Sequence, residues 1–243
     1  MRNWAGKRYW LVGASEGLGE ALAHQLSRAG VTVILSARNE EKLQSLSKAL
    51  PGPSEVAPVD ISDGDALAKL AADLGDIDGV VHMAGVYWPF GAKAWDSDQA
   101  NLMADVNFTG AMRLMGVVVP RFVERNAGHI VLTGSLSGFR GLPDAAPYVA
   151  SKAGVMALAE SLYADLRKTG VDVQLVNPGF VRTRLTDKND FTMPFIMEPD
   201  EAARAYFEHM NTDGFKRSFP RMFSLLFRGS QFLPDWLYYR LFS

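Results

Sequence analysis

The amino-acid sequence predicts an α/β protein whose doubly wound parallel sheet is covered by helices on both faces. Short β-branched runs alternate along the chain with longer stretches of helical periodicity. The strand-like runs are continuously apolar, which is typical of parallel strands buried on both faces. The chain has 243 residues with no internal repeat and no low-complexity linker, so we expect a single domain over residues 1–243.

Breaker residues set the boundaries of the predicted elements. Gly30 ends the first helix, and Pro51-Gly52-Pro53 ends the second. The predicted strands cover residues 9–12, 31–36, 56–60, 79–83, 129–133 and 171–176. The predicted helices cover residues 18–28, 40–50, 63–74, 97–119 and 150–168. A seventh strand is not obvious, and residues 180–197 are rich enough in turn-forming and polar residues to predict a loop at the binding edge.

Composition excludes several classes of function. Lys and Arg total 25 against 27 Asp and Glu, and the resulting charge of −2 argues against a globally basic nucleic-acid binder. The absence of cysteine excludes disulfides, cysteine-ligated zinc, iron–sulfur clusters and thiol nucleophiles. No metal is expected, because helical ligand-pair spacing is missing from the histidines, which are His24, His82, His129 and His209.

The N-terminal residues lack the apolar core of a signal peptide. The apolar runs at residues 31–35 and 114–119 are much shorter than the roughly 20 residues that span a bilayer. We therefore expect a cytoplasmic protein.

A glycine-rich turn joins the first strand to the first helix. Glycines let a backbone approach a pyrophosphate, and a helix N-terminus supplies unpaired N–H groups and partial positive charge. This position in the chain predicts dinucleotide binding by the residues of the turn, which are Gly13, Ser15, Glu16, Gly17, Leu18 and Gly19. A plain turn capped by Ser15 is the alternative.

The end of the second strand indicates which dinucleotide is bound. Ala37 stands where an acid would hold the ribose 2′-hydroxyl of NAD, and Arg38 follows it. Because a guanidinium binds phosphate in bidentate fashion, we predict that NADP(H) is preferred over NAD(H). Glu16 counts against this prediction, since many NADP sites place a basic residue there. A surface Arg38 paired with Glu40 or Glu41 is the alternative.

Tyr148 and Lys152 are spaced i, i+4 and therefore share one face of a predicted helix. A free tyrosine has a pKa near 10, too high for a base at neutral pH. A neighbouring ammonium stabilises the phenolate and lowers that pKa. The pair could then exchange a proton with an alcohol or carbonyl oxygen, although a plain surface pair would show the same spacing.

With these motifs in this order along the chain, residues 7–186 resemble the short-chain dehydrogenase/reductase family. The family pattern combines spaced glycines, an Asp–aliphatic pair, Ala-Gly, a helix Asn, a strand-end Ser, Tyr-x-x-x-Lys and Pro-Gly. The matching residues are Gly13, Gly17, Gly19, Asp60, Ile61, Ala84, Gly85, Asn107, Ser135, Tyr148, Lys152, Pro178 and Gly179. The resemblance implies a single-domain Rossmann fold, here with a C-terminal helical extension.

The resemblance also implies roles for these residues. Tyr148 would be the acid/base, Lys152 would hold the nicotinamide ribose, Ser135 would orient the substrate oxygen, and Asn107 would fix a water of a proton relay. Asp60 and Ile61 would contact the adenine. Contacts to the nicotinamide side would come from Pro178, Gly179, Val181 and Thr183.

The chain departs from the family pattern at two places. Val12 replaces a threonine, and His82-Met83 replaces a pair of asparagines. We expect His82 to be a hydrogen-bonded structural residue.

Three segments, residues 85–91, 136–147 and 180–197, are expected to line the substrate pocket. Their large apolar side chains are Val86, Tyr87, Trp88, Phe90, Leu142, Phe180, Leu185, Phe191, Met193, Phe195 and Met197. Fixed charges are few, namely Arg140, Asp144 and Arg182. An apolar pocket predicts a hydrophobic ketone, aldehyde or secondary alcohol as substrate, although some of these side chains could simply pack the loop onto the domain.

Residues 215–243 form an apolar, basic C-terminal extension. An apolar stripe of helical spacing joins Phe219, Met222, Phe223, Leu226 and Phe227, and Pro220 suits the first turn. The segment could lie on an anionic membrane, seal the substrate pocket, or lie in a subunit interface, with packing favoured over the membrane.

These observations predict an NADP(H)-dependent oxidoreductase, with a 3-oxoacyl-thioester reductase of fatty-acid or polyketide metabolism as the alternative of the same chemistry. A non-catalytic NADPH-binding sensor or scaffold is the alternative of another class, and no nucleic-acid partner is expected. The resemblance further implies a homodimer or homotetramer, paired through the helices at 97–119 and 150–168.

Overall fold

The computed structural model describes residues 2–242, in which seven strands form one parallel sheet. The strands are β1 Arg8–Val12, β2 Thr32–Ser36, β3 Ser54–Val56, β4 Gly79–His82, β5 Gly128–Thr133, β6 Val171–Pro178 and β7 Lys216–Phe219. Their spatial order is β3-β2-β1-β4-β5-β6-β7. The chain reverses its direction of winding between β1 and β4, and ligands of such sheets bind in the crevice at that point. The predicted fold class is therefore confirmed.

Helices cover both faces of the sheet. They are α1 Gly17–Arg28, α2 Glu40–Ala49, α3 Gly64–Asp73, α4 Ser97–Ala104, α5 Gly110–Glu124, α6 Ala146–Leu166, α7 Pro199–Met210, α8 Arg221–Ser230 and α9 Asp235–Phe242. Successive strand residues enter opposite cores, as the alternation of side chains along a strand requires. Trp10 packs with the helices α3, α5 and α6, whereas Leu11 packs with α1, α2 and α7.

Three predicted boundaries were wrong. The third strand ends at Val56 instead of residue 60, although Ala57 and Val59 still donate hydrogen bonds to the carbonyls of Leu35 and Ala37. The helix predicted at 97–119 is interrupted by a π-helical turn at Asp105–Thr109. The helix predicted from residue 150 begins at Ala146.

The seventh strand, β7, lies inside the segment predicted as a helical extension. It is a short edge strand that pairs with β6 alone, and only Phe219 among its residues is buried. An edge strand with so few buried residues lacks the apolar run that made the other strands recognisable. The helical extension therefore begins at Arg221, and Pro220 lies just before its first turn.

Residues Ser97–Glu124 are, within the described chain, the one helical stretch long and apolar enough to cross a membrane, with a mean hydropathy of 1.3. One side of this stretch belongs to the core beneath the sheet, through Val106, Leu114, Val118 and Phe122. We interpret it as a core helix.

A buried polar network fixes the end of the sheet opposite the crevice. The Nε2 amide of Gln174 donates to the carbonyls of His209, Thr212 and Gly214. The Gln174 Oε1 therefore accepts from His129 Nε2 at 3.0 Å, and His129 Nδ1 accepts from the Tyr9 hydroxyl at 2.9 Å. Each buried polar atom of the His129 ring is thus satisfied.

His82 differs from the expectation that it is a hydrogen-bonded structural residue. Its side chain is fully buried at the end of β4, and neither ring nitrogen has a hydrogen-bond partner among the described residues. Burial, together with the nearby charge of Lys152, lowers the pKa of His82 to about 3. The neutral ring occupies the position at the cost of two unsatisfied nitrogens.

The buried histidines predict a pH-dependent stability. Burial also lowers the pKa of His129 to about 3, so both rings stay neutral in the fold while the unfolded chain binds protons below about pH 6.5. Their stabilisation is complete above pH 6.5 and is lost as the pH falls toward the folded pKa. We expect His82→Asn to reduce the loss of unfolding free energy between pH 7.5 and 5.5 by about 1.4 kcal/mol. Urea denaturation at the two pH values measures it, and an identical pH dependence in both proteins would contradict the prediction.

Candidate active site

The carboxyl ends of the strands enclose an elongated cavity of about 650 Å³. Every residue predicted to bind the coenzyme lines this cavity, from the glycine turn to Pro178, Gly179, Val181 and Thr183. The parallel strands bring these residues together because all their carboxyl ends meet at one edge of the sheet.

The geometry of the glycine turn leaves no room for side chains at two positions. Gly13 has a φ of +99°, and a Cβ there would lie 2.5 Å from the backbone nitrogen of Ala84. A Cβ on Gly19 would lie 2.0 Å from the carbonyl oxygen of Gly13. Helix α1 begins after Glu16, and no side chain caps its N-terminus. The alternative of a turn capped by Ser15 is therefore wrong, and the first N–H groups of α1 are left for another acceptor.

Glu16 forms two ion pairs across the cavity mouth. One of its carboxylate oxygens lies 2.7 Å from Lys42 Nζ and the other lies 2.6 Å from an Arg184 nitrogen. Both cations line the cavity, and sequence reasoning missed them. The available sequence signal for Lys42 was its place in the first turn of α2, four residues after Arg38. The carboxylate of Glu16 is thereby balanced by two cations.

Arg38 is exposed at the cavity wall, and no carboxylate lies within 4 Å of it in the part of the chain that the structure describes. The alternative pairing with Glu40 or Glu41 is not formed.

Asp60 lies at the same end of the cavity. Burial alone would raise its pKa, but hydrogen bonds from the Ser62 hydroxyl and N–H, with help from Arg38 and Arg113, hold the pKa below its usual value. Both bonds reach Oδ1, at 2.7 and 2.9 Å. Asp60 is therefore an ionised acceptor.

A second cavity of about 570 Å³ adjoins the first and is mostly apolar. Of the predicted pocket residues, those that line it are Tyr87, Leu142, Asp144, Phe180, Leu185 and Phe191. Val86 lines the first cavity instead. The other predicted residues do not line it, namely Trp88, Phe90, Met193, Phe195, Met197, Arg140 and Arg182.

The residues outside the cavity have packing roles. Met197 is buried in the core and pairs with Val181 in an isolated bridge. Lys188 Nζ lies 4.1 Å from the Trp88 ring centre. Arg182 forms an exposed ion pair with Glu198. For these side chains the alternative holds, in which they pack the loop onto the domain instead of lining the pocket.

The C-terminal extension forms part of the wall of the second cavity, which is one of the alternatives that the sequence left open for it. Phe223, Leu226, Phe227 and Phe242 line the second cavity. Arg140 holds the extension in place, since its guanidinium donates to the carbonyls of Ser230 and Leu233 at 2.6 and 2.7 Å.

Ser135 and Tyr148 lie on the wall that the two cavities share. Ser135 follows β5, and its hydroxyl accepts hydrogen bonds from the N–H and the hydroxyl of Ser137. Tyr148 lies in the first turn of α6, and the ring of Tyr87 packs against it edge-on at a centroid distance of 4.9 Å. Anything held between the cavities meets both hydroxyls.

The pKa of Tyr148 is raised, whereas the sequence predicted that a neighbouring ammonium would lower it. Burial raises it to about 12, the Ser135 hydroxyl opposes the rise, and Tyr87 adds to it. Lys152 does not lower it, because its Nζ lies 5.9 Å from the Tyr148 ring centre and donates to the carbonyl of Thr133 at 3.1 Å. Burial lowers the pKa of Lys152 itself to about 8. The phenol is therefore protonated at neutral pH.

Asn107 does not line either cavity. It lies in the π-helical turn, fully buried, and its amide exchanges hydrogen bonds with the backbone of Val86 at 2.7 and 2.9 Å. A third bond reaches the Ser151 hydroxyl at 3.1 Å. The Asn107 side chain thus fixes the segment that follows β4, whose residue Gly85 lies close to the Lys152 ammonium. Single π turns are frequent at functional sites.

Comparisons with known proteins agree with this geometry. Residues 7–193 match the family model described as short chain dehydrogenase. The chain is 39% identical over 235 residues to an uncharacterized oxidoreductase of Myxococcus xanthus, covering 94% of this chain and 93% of the relative. It is similar in structure, with a TM-score of 0.83 and 26% identity, to a short-chain dehydrogenase from Sphingobium yanoikuyae in complex with NADPH, covering 92% and 91% of the two chains.

A short-chain dehydrogenase/reductase from Burkholderia phymatum in complex with NAD has a TM-score of 0.86 at 24% identity, covers 94% of each chain, and bears on the fold alone. The two neighbours hold different coenzymes, so they do not decide between them. The matched family model spans most of the chain, including the glycine turn and the shared wall of the two cavities. The chain belongs to the short-chain dehydrogenase/reductase family of oxidoreductases.

Proposed function

We propose that this oxidoreductase reduces a hydrophobic ketone or aldehyde with NADPH, or runs the reverse oxidation of a secondary alcohol. The observation that carries the proposal is the position of Ser135 and Tyr148 on the wall between a cavity lined by charged side chains and an apolar one. A coenzyme in the first cavity and an apolar carbonyl in the second would meet at these two hydroxyls.

The first cavity fits an anionic dinucleotide. Its ionisable lining comprises two carboxylates and four cations, namely Glu16, Asp60, Arg38, Lys42, Lys152 and Arg184. The glycine turn and the uncapped start of α1 would hold the pyrophosphate. Arg38, with Lys42 beside it, would bind the 2′-phosphate that distinguishes NADP from NAD.

The other coenzyme contacts follow from the lining. Asp60 and Ile61 would contact the adenine, Ala84 and Gly85 would adjoin the riboses, and Lys152 would hold the nicotinamide ribose. The nicotinamide end would lie against Pro178, Gly179, Val181 and Thr183. When bound, the coenzyme supplies or accepts the hydride at the carbonyl carbon.

The residues of this chain would handle the proton. Ser135 would donate a hydrogen bond to the carbonyl oxygen and orient it, and Tyr148 would give that oxygen its proton. The high pKa of Tyr148 keeps the phenol protonated at neutral pH, which suits its role as proton donor in carbonyl reduction. Lys152 would resupply the proton, since its pKa of about 8 lies near neutrality, and Asn107 would hold the backbone around it.

The apolar cavity favours a simple carbonyl substrate over the acyl thioester. Within the described residues its ionisable lining is limited to tyrosines and the carboxylates of Asp144 and Asp190. A phosphate-bearing thioester arm would meet these carboxylates without a cation in the cavity wall.

Replacing Tyr148 by Phe is expected to lower NADPH-dependent turnover by roughly 10²- to 10⁴-fold, because the proton donor is removed. The assay follows NADPH absorbance with aldehydes, cyclic ketones, steroids and acyl thioesters. Tyr163→Phe, on the same helix but outside both cavities, is the matched control and should retain activity. Equal loss in both variants, or none in Tyr148→Phe, would contradict the assigned role.

Replacing Arg38 by Asp is expected to reduce the preference for NADPH over NADH at least tenfold, since a charge-assisted bond to phosphate is worth roughly 1.5–3 kcal/mol. The ratio of the two dissociation constants, from coenzyme fluorescence titrations, measures it. Arg204→Asp makes the same charge change on the exposed side of α7 and should leave the ratio unaltered. An unchanged ratio in Arg38→Asp would refute the phosphate site.

A further inference from the structure

Exposed apolar side chains are concentrated at the C-terminus. Among residues 2–242, thirteen large hydrophobic side chains are exposed, and the seven that lie within residues 221–242 are Met222, Leu225, Leu226, Phe232, Trp236, Tyr239 and Leu241. Two more, Phe191 and Phe195, belong to the substrate loop next to this segment. We call residues 221–242, with these two, the C-terminal apolar surface. Contiguous exposed apolar areas of this kind usually mark interaction sites.

Helix α8 has two apolar faces with different partners. Its inner side chains, Phe223 and Phe227, contact each other at a centroid distance of 5.0 Å and wall the second cavity. The outer side chains Met222 and Leu225 are 69% and 52% exposed. Closing the cavity therefore requires only one face of the helix, and no part of the chain within residues 2–242 covers the other face.

The surface is held in a defined position. Arg140 lies 3.9 Å from the ring centre of Tyr238, the buried residue of α9. Asp235 pairs with the same guanidinium, and the Tyr238 hydroxyl donates to the carbonyl of Gly141 at 2.6 Å. The outward direction of the exposed side chains is thus fixed by contacts on the opposite side.

Three exposed arginines accompany the apolar side chains. Arg221, Arg228 and Arg240 have no carboxylate within 4 Å in the described part of the chain. The one acid of the segment, Asp235, is already paired with Arg140. The surface therefore combines apolar protrusions with uncompensated positive charge.

We propose that the C-terminal apolar surface docks the enzyme onto a lipid bilayer that contains anionic headgroups. Exposed Trp, Phe and Leu side chains can enter the headgroup boundary while arginines bind the lipid phosphates. A second copy of the chain fits less well, because a two-fold contact would bring six arginines together without free acids to balance them. A nucleic acid would use the arginines and leave the apolar side chains unexplained.

Docking in this way places the wall of the second cavity at the lipid. Leu226 is both 60% exposed and part of the cavity lining. An apolar carbonyl dissolved in the bilayer would then reach the cavity without crossing water, a consequence that rests on the proposed function. The docking of the surface onto a bilayer does not depend on the proposed function.

The test is co-sedimentation of the full chain with vesicles, without coenzyme or substrate. Wild-type protein is expected to bind vesicles of phosphatidylcholine with 30% phosphatidylglycerol, about tenfold more tightly than pure phosphatidylcholine. Leu225→Ser with Trp236→Ser, two side chains outside the cavity lining, should weaken binding at least tenfold. Arg221→Gln with Arg228→Gln and Arg240→Gln should do the same.

Matched controls carry equivalent changes elsewhere. Met112→Ser with Val123→Ser removes comparably exposed side chains of α5, and Lys48→Gln with Lys69→Gln and Lys168→Gln removes three exposed cations. Binding by these controls at the wild-type level supports the proposal. Absent vesicle binding, equal weakening by the controls, or a dimer in light scattering that Leu225→Ser with Trp236→Ser dissolves would overturn it. Turnover of a soluble substrate, assayed separately, reports on the proposed function alone.

Discussion

The close approach of helix α6 to the segment after β5 is the constraint on which the site depends. A Cβ at Gly138 would lie 2.6 Å from the Met156 sulfur and 3.0 Å from the Ala153 nitrogen. A Cβ at Gly134 would lie 2.8 Å from Cγ of Met156 on the same helix. These two glycines let the helix come near enough for Tyr148 and Ser135 to share one wall. Larger residues would separate the two hydroxyls that the proposed chemistry needs together.

The same crowding sets the electrostatics of the site. This approach buries Lys152 and partly buries Tyr148. Removal from water favours the neutral form of each, raising the pKa of Tyr148 and lowering that of Lys152. Their spacing alone suggests a phenolate stabilised by an ammonium, whereas the fold yields a protonated phenol beside an ammonium whose pKa is lowered to about 8. The coenzyme cavity shows a related effect, since Glu16 is neutralised by Lys42 and Arg184 and so does not repel a phosphate near Arg38.

The C-terminal segment both closes the apolar cavity and exposes an apolar surface. Its first strand completes the sheet, and its first helix closes the apolar cavity through Phe223 and Phe227. The helix is apolar on its outer side as well, so it cannot be explained by closure of the pocket alone. Membrane docking would connect these two faces, because the side chains that wall the cavity and those that face outward lie on the same turns.

The sequence by itself determined six strands of the parallel sheet, the glycine turn and most residues of the coenzyme cavity, because each depends on local spacing and on the common direction of strand ends. It also determined that Arg38 stands where an acid would otherwise be. Only the tertiary structure decided which loop side chains line the second cavity, because Met197 and Trp88 are as apolar as Phe180 and differ only in what they contact. It also decided the burial of Lys152, the partial burial of Tyr148 and the pairing of Glu16, since these depend on elements far apart in the chain that meet only in the fold.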